Sequence, residues 1–122
     1  LDDETGTQLS SRIVSTELDA YLPWEGVAEF LDELGKRFCT MRIMGSGTLT
    51  LLGVAANHSV GAVISNFSPI DHLAAVIIVS EAGGVVLNEQ GKLDLFPTSG
   101  GVLCSTKGVA TELFEIWSSV KK

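Results

Sequence analysis

Residues 68–84 restrict the possible folds of this chain more than any other segment. Ser68, Pro69 and Asp71 are residue types favoured in the first turn of an α-helix, and Gly83 suits a left-handed helix end. Almost every side chain in 73–79 is apolar. Because a helix without a polar face is covered on most of its sides, we expect the other elements to pack around this one.

Asp71 has two interpretations at the start of this helix. As a structural residue it accepts hydrogen bonds from backbone N–H groups, in the manner of a capping-box acid, which is worth about 1 kcal/mol. As a functional residue it supplies one oxygen ligand to a hard cation such as Mg²⁺, which completes its shell with water and phosphate oxygens. The two roles are compatible, and the local sequence leaves both open.

A glycine-rich corner, Gly45-Ser46-Gly47, lies between a predicted strand over 39–43 and a predicted helix over 48–56. Glycines at a helix start allow backbone N–H groups to approach a polar ligand closely. On its own this corner is more typical of a simple strand-to-helix turn.

Short β-prone runs alternate with four helical patterns along residues 12–122. Strands are predicted over 12–16, 39–43, 60–65, 85–88 and 101–104, and helices from Pro23, over 48–56, from Pro69 and from Lys107. This order predicts an α/β domain with a mixed, largely parallel sheet and helices on both faces. In the first helix, an apolar stripe is expected to pack on the sheet, formed by Trp24, Val27, Phe30, Leu31, Leu34 and Phe38.

The N-terminal segment 1–11 is acidic and rich in Gly, Ser and Thr, so we expect it to be flexible and to precede the domain. The whole chain carries a net charge of −7, with 8 basic against 15 acidic residues, which argues against nucleic acid as a partner. The apolar run 73–79 is far shorter than the roughly 20 residues that cross a bilayer, so no membrane partner is expected.

Cysteine and histidine usage offers no independent catalytic pattern. Cys39 and Cys104 lie outside any metal-ligand spacing, so they are expected to be buried reduced thiols, which favours a cytoplasmic location. His58 lies in a predicted polar turn and, like His72, is not a convincing general base. For His72, beside Asp71, a surface position is favoured and a supporting role stays open.

Two segments of the chain resemble the inositol monophosphatase family. Pro-Ile-Asp-His-Leu-Ala-Ala over 69–75, with Glu-Ala-Gly-Gly over 81–84, is similar to the family's Trp-Asp-x-Ala-Ala and Glu-Ala-Gly-Gly signature. Arg-Ile-Met-Gly-Ser over 42–46, with the helical pattern over 49–56, is similar to its Arg-x-x-Gly-Ser segment and the helix after it. The likeness in order and spacing runs from about Arg12 to the C-terminus.

The resemblance implies roles for particular residues. Asp71 matches the family's metal-binding Asp, which implies Mg²⁺ as the cofactor. The corner formed by Gly45, Ser46 and Gly47 matches the segment that lines the pocket for the alcohol part of the substrate.

Two positions depart from the family pattern. Ile70 replaces the usual Trp, which changes the pocket wall. Ile64 lies seven residues before Asp71, where inositol phosphatases carry a Glu that contacts a substrate hydroxyl. Ser65 and Asn66 follow directly, and we expect them to take over part of that substrate contact.

The resemblance implies a Mg²⁺-dependent phosphomonoesterase that acts on a small polyol or sugar phosphate, with this chain as one half of a five-layer αβαβα fold. The family's other metal ligands belong to an N-terminal half with a Glu-Glu pair and an Asp-Pro-x-Asp-Gly-Thr motif, and neither occurs here. We therefore expect a C-terminal domain without a catalytic residue of its own, inactive alone.

A surface built to stack on that missing half stays apolar and exposed, which predicts a homo-oligomer. The alternative is a noncatalytic domain that binds a small phosphorylated ligand or a protein partner.

Overall fold

The computed structural model of the 122-residue chain describes residues 8–18, 22–97 and 100–121. The elements in chain order are β1 (Ile13–Thr16), α1 (Val27–Lys36), β2 (Thr40–Ile43), α2 (Gly47–Ala55), β3 (Gly61–Ile64), α3 (Pro69–Glu81), β4 (Val85–Asn88), β5 (Val102–Ser105) and α4 (Ala110–Val120). A single 3₁₀ turn, Lys107–Val109, leads into α4. Among these described helices, none is both long and apolar enough to cross a membrane.

The five described strands form one mixed sheet in the order β2-β1-β3-β5-β4. β1 pairs in parallel with β2 and β3, whereas β5 runs antiparallel to its neighbours β3 and β4. Four strands therefore share one direction, and β5 alone of the five is reversed. The predicted fold class, a mixed and largely parallel α/β sheet, is confirmed.

The central strands β3 and β5 are buried on both faces, because alternate side chains along them enter two different cores, whereas the edge strand β2 is largely exposed. Val63 and Leu103 belong to one core, which also holds the buried side chains of α1 and α4. Ala62 and Cys104 belong to the other, which holds those of α2 and α3. The helices thus cover both faces in pairs, as the sequence predicts.

The apolar stripe of α1 is narrower than predicted. The helix begins at Val27 rather than near Pro23 and ends at Lys36, so Phe38 lies beyond it with a left-handed φ of 59°. Phe38 is 80% exposed and Leu31 is 50% exposed, so the expectation that both pack on the sheet is wrong. Phe30 and Leu34 are the residues of α1 that reach the core.

The expectation that α3 is covered on most sides is also wrong for the described part of the chain. Ala75, Val76 and Val79 face the sheet, but the opposite side of the helix presents Ile70, Ile77 and Ile78, which are 96%, 42% and 48% exposed. These three residues form what we call the outer face of α3. An apolar helix is therefore only half covered here.

The predicted flexible segment 1–11 falls mainly on residues 1–7, which lie outside the described residues. Leu9 is 2% exposed and packs in the core with α1 and α4. The described packing thus begins before Arg12, and the flexibility of the preceding residues remains a prediction.

The buried hydroxyl of Thr16 joins β1 to β3. Thr16, the last residue of β1, is fully buried. Its Oγ1 donates to the carbonyl of Val63 in β3 at 2.6 Å and accepts from the indole Nε1 of Trp24 at 3.0 Å. Because Thr16 directly precedes Glu17, this pair of bonds fixes the end of β1.

We expect Thr16→Val to destabilise the protein by about 1–3 kcal/mol, because valine keeps the shape but leaves the buried indole N–H of Trp24 without a partner. Thr16→Ser is the matched control, since it keeps the hydroxyl and loses one methyl group. Urea unfolding monitored by tryptophan fluorescence measures both variants. A valine variant as stable as the serine variant would contradict a role for the hydrogen bonds.

Candidate functional site

A cleft of about 290 Å³ opens at the carboxyl ends of the neighbouring parallel strands β1 and β3. The chain leaves β1 for α1 on one face of the sheet and leaves β3 for α3 on the other. Ligands of open α/β sheets bind where successive connections depart to opposite faces, so this is the position at which the fold favours a site. The lining residues are Glu17, Leu18, Gly45, Gly47, Ile64, Ser65, Asn66, Ser68, Asp71 and His72.

Glu17 holds the glycine-rich corner in place beside β1. One carboxylate oxygen accepts from Met44 N at 3.0 Å and from Thr50 Oγ1 at 2.5 Å, and the other accepts from Gly45 N at 3.1 Å. The acid therefore uses both oxygens on the loop and on the first turn of α2. It is a structural part of the cleft wall rather than a free ligand for a cation.

The corner itself adopts the geometry that its sequence favours. Gly45 has a φ of 85°, which a residue with a side chain adopts only with strain. Ser46 is the N-cap of α2, and its Oγ accepts from Leu49 N at 3.3 Å. The side chain of Ser46 is thus committed to the helix, whereas Gly45 and Gly47 border the cleft.

The start of α3 is capped in a way that the sequence does not predict. Ser68 is the N-cap, but its side chain makes no capping hydrogen bond. Instead, Ser68 N donates to Nδ1 of His72 at 2.9 Å, and His72 N donates to the carbonyl of Ser68 at 2.8 Å. The second bond is the first backbone bond of the helix, and the first is the one that a capping-box acid would accept, so the prediction that Asp71 reaches back as the capping acid is wrong.

The Asp71 carboxylate is left exposed at the cleft, with no hydrogen bond or ion pair to any residue in the described ranges. Its backbone is held firmly, since Asp71 N donates to Ser68 O and Asp71 O accepts from Thr48 Oγ1 at 2.7 Å. The latter bond also ties the N-terminus of α3 to that of α2. Both helices direct their positive ends toward this corner of the molecule, which favours an anion there.

Among the described residues, Asp71 fits a metal ion as one oxygen ligand and not as a complete site. No group of three or more His, Cys, Asp or Glu residues in 8–18, 22–97 and 100–121 could hold a metal ion. Mg²⁺ is commonly bound through one or two carboxylates with water and phosphate oxygens, so a single free carboxylate suits that cation in part.

His72 belongs to the cleft rather than to the open surface that its sequence context favours. Its ring lies between Phe67, with ring centroids 5.9 Å apart, and Gly47, where an added Cβ would fall 2.5 Å from Nε2. Burial lowers the pKa of His72, against a smaller opposing effect of the Asp71 charge. The same hydrogen bond from Ser68 N requires Nδ1 to be an acceptor, which is the neutral form of the imidazole.

The structure brings most of the predicted site residues to one cleft: Gly45, Gly47, Ser65, Asn66 and Asp71. Ser46 lies in the same corner but faces α2. Sequence analysis did not assign Glu17 or His72 to the cleft. Glu17 follows a predicted parallel strand directly, and His72 lies four residues after a helix-capping serine, and both positions are signals that could have indicated them.

Other candidate features do not have the chemistry of a metal centre. A second cleft, about 180 Å³, lies at the opposite ends of β1 and β3 and includes Arg12 and His58 but no described carboxylate. Both cysteines are free and buried, as predicted. Burial raises the pKa of Cys39 to about 11 and that of Cys104 to about 12, so neither is a thiolate at neutral pH.

Comparison with known proteins finds a family model, described as the inositol monophosphatase family, that matches residues 7–121. The fold is similar to that of an IMPase from Thermotoga maritima, with a TM-score of 0.82 and 27% identity over 93% of this chain and 43% of that one. It is also similar to the inositol monophosphatase of Anabaena (Nostoc) sp. PCC 7120, with a TM-score of 0.80 and 26% identity over 93% and 46%.

The extragenic suppressor protein suhB of Bartonella henselae has the same fold, with a TM-score of 0.76 and 22% identity over 90% of this chain and 43% of that one. This chain therefore spans less than half the length of these structures. A sequence comparison with curated proteins finds no significant match.

We expect Glu17→Gln to loosen the glycine-rich corner and to destabilise the protein by about 1–3 kcal/mol, because an amide cannot accept all three hydrogen bonds and turns an N–H toward a donor. Hydrogen exchange of the amides of Met44 and Gly45 should accelerate. Glu115→Gln, at an exposed position on α4, is the control and should change neither property. Unchanged exchange in the Glu17 variant would argue against this role.

Proposed function

Because the chain belongs to the inositol monophosphatase family, we propose that it forms the C-terminal part of a Mg²⁺-dependent phosphomonoesterase that hydrolyses a small polyol or sugar phosphate. The observation that carries the proposal is the free Asp71 carboxylate at the cleft between β1 and β3. His72 takes over the capping bond that would otherwise engage Asp71, so the acid has no described structural duty. A carboxylate kept free in a cleft is available to a cation.

The same cleft is suited to a phosphate ester. The N-termini of α2 and α3 meet beside Asp71 and are joined by the Thr48 bond, and their positive ends favour the negative charge of a phosphoryl group. When bound at Asp71, Mg²⁺ supplies positive charge that polarises the phosphoryl group. The residues of this chain orient the ester: the corner of Gly45 and Gly47 borders its alcohol part, and Ser65 and Asn66 offer polar contacts.

The remaining ligands and the general base are proposed to come from another part of the protein. One carboxylate does not assemble a metal centre, and no third acidic or histidine ligand is grouped with it among the described residues. We propose that an N-terminal half of the same protein completes the site, and that the present chain alone is inactive. The two free cysteines agree with a cytoplasmic location.

The outer face of α3 supports the proposal of a covering half. Ile70, Ile77 and Ile78 repeat at helical spacing on the side turned away from the sheet. Contiguous apolar surface of this kind marks an interaction site in soluble proteins. We propose that the N-terminal half covers it in the complete protein, and that copies of this chain cover it for one another when they are produced alone.

In the complete protein, we expect Asp71→Asn to lower Mg²⁺-dependent phosphatase turnover at least about 100-fold with the fold retained, because a metal ion contributes several kcal/mol of charge stabilisation. Glu81→Gln, at the far end of the same helix and exposed, is the control and should turn over normally. Turnover is measured as phosphate release over a Mg²⁺ titration, and folding by circular dichroism.

A different result would favour a noncatalytic domain. If neither the unsubstituted protein nor the variant releases phosphate, while both bind a phosphorylated ligand equally well, the phosphatase proposal fails.

For the 122-residue chain alone, we expect sedimentation at tens of micromolar to show dimers or larger species, because the outer face of α3 lacks a described cover. The double variant Ile77→Lys, Ile78→Glu should be monomeric. Leu31→Lys is the control, since Leu31 is 50% exposed on α1, which packs on the opposite face of the sheet from α3. Self-association that survives the double variant would argue for a different surface.

A further inference from the structure

We propose that His72 determines substrate specificity by donating a hydrogen bond from Nε2–H to an acceptor oxygen on the alcohol part of the phosphomonoester. The inference rests on the proposed function. It adds a substrate class, namely phosphate esters whose alcohol part carries an ether, ring or carbonyl oxygen. It also assigns His72 as the residue that hydrogen-bonds to this oxygen.

The hydrogen bond at the start of α3 decides which ring nitrogen of His72 carries the proton. Ser68 N is a backbone donor and lies 2.9 Å from Nδ1, so Nδ1 is the acceptor. In the neutral imidazole the other nitrogen, Nε2, then carries the hydrogen. One tautomer is fixed by the backbone, and it presents a donor at Nε2.

The position of Nε2 is as fixed as its protonation. The ring packs between Phe67 and the Cα of Gly47, and the close approach to Gly47 leaves no room for a Cβ. Gly47 and His72 both line the cleft. The donor therefore lies at the glycine-rich corner, beside the space assigned to the alcohol part of the ester.

The other side chains of the cleft explain why the partner should be an acceptor. Both carboxylate oxygens of Glu17 already accept hydrogen bonds from the glycine-rich corner and Thr50. Ile64, which is 3% exposed, contributes an apolar wall. Nε2–H has no hydrogen-bond partner among the described residues. A donor at the wall of the cleft favours a ligand with an oxygen at this point, because an apolar ligand would displace water from it and leave it unpaired.

Two substitutions distinguish the roles of the two ring nitrogens of His72. In His72→Asn, Oδ1 occupies the position of Nδ1 and keeps the bond from Ser68 N, but the donor is lost. In His72→Gln, the amide nitrogen reaches the position of Nε2 and keeps the donor, but the helix cap is lost. The test uses the complete protein with Mg²⁺ and two esters of equal size, 2-methoxyethyl phosphate and n-butyl phosphate, which differ by one ether oxygen.

We expect the unsubstituted protein to favour the ether ester in kcat/KM. His72→Asn should raise KM for the ether ester about 3- to 10-fold more than KM for the butyl ester, and keep the melting temperature. His72→Gln should keep the preference for the ether ester and lower the melting temperature.

Equal effects of both variants on both esters would overturn the inference and leave His72 as a helix cap only. Loss of the ether preference in His72→Gln with retention in His72→Asn would overturn it as well. If the unsubstituted protein hydrolyses neither these two esters nor a panel of polyol and sugar phosphates, the proposed function fails first and this inference fails with it.

Discussion

The carboxylate of Glu17 is the interaction on which the geometry of the cleft depends. It joins the end of β1 to Met44 and Gly45 after β2 and to Thr50 in α2. Without these bonds, the buried hydroxyl of Thr50 would lack its partner, the exposed N–H groups of Met44 and Gly45 would turn to water, and the loop would be free to move away from the sheet. Because the loop starts α2, and Thr48 of α2 in turn bonds to Asp71 O, the acid indirectly sets the position of α3 as well.

At the start of α3, His72 provides the helix cap and leaves the carboxylate of Asp71 free, so the packing of the helix end affects the chemistry of the cleft. An acid in the first turn of a helix is ordinarily explained by the cap that it provides. Here the imidazole of His72 provides the cap, and it fits because Gly47 has no side chain. The same corner thus makes room for the ring at Gly47, and the ring leaves the Asp71 carboxylate without a hydrogen-bond partner among the described residues.

Much of this fold is accessible from sequence because it depends on local periodicity. The five described strands and four described helices have the predicted order, and their alternation along the chain already predicts helices on both faces of the sheet. The corner at Gly45 and the acid at Asp71 were also indicated, the latter chiefly through the family resemblance. Their meeting in one cleft follows from parallel strands whose carboxyl ends share an edge.

The parts that were missed depend on contacts between distant segments. Nothing near Glu17 in the sequence says that Met44 and Thr50 will lie beside it, since 27 and 33 residues separate them. His72 was favoured as a surface residue because the close approach of Gly47 is a tertiary event. The exposed side of α3 was missed for a related reason: an all-apolar helix predicts burial, but it does not say what provides the cover.

Asp71, which does not complete a metal site by itself, adjoins the outer face of α3. One covering segment can therefore explain both features. Ile77 lies about 10 Å along the helix axis from Ile70, and Ile70 is next to Asp71 in the first turn. A body that covers Ile77 and Ile78 and continues along the same stripe reaches Ile70, which is almost fully exposed, and then the edge of the cleft. If the proposed N-terminal half covers this face, it is thereby well placed to contribute the further ligands that the proposed function requires. Assembly of the two parts would then create the catalytic centre in the same step that removes apolar surface from water, and the hydrophobic contact would hold the ligands together despite the mutual repulsion of their charges.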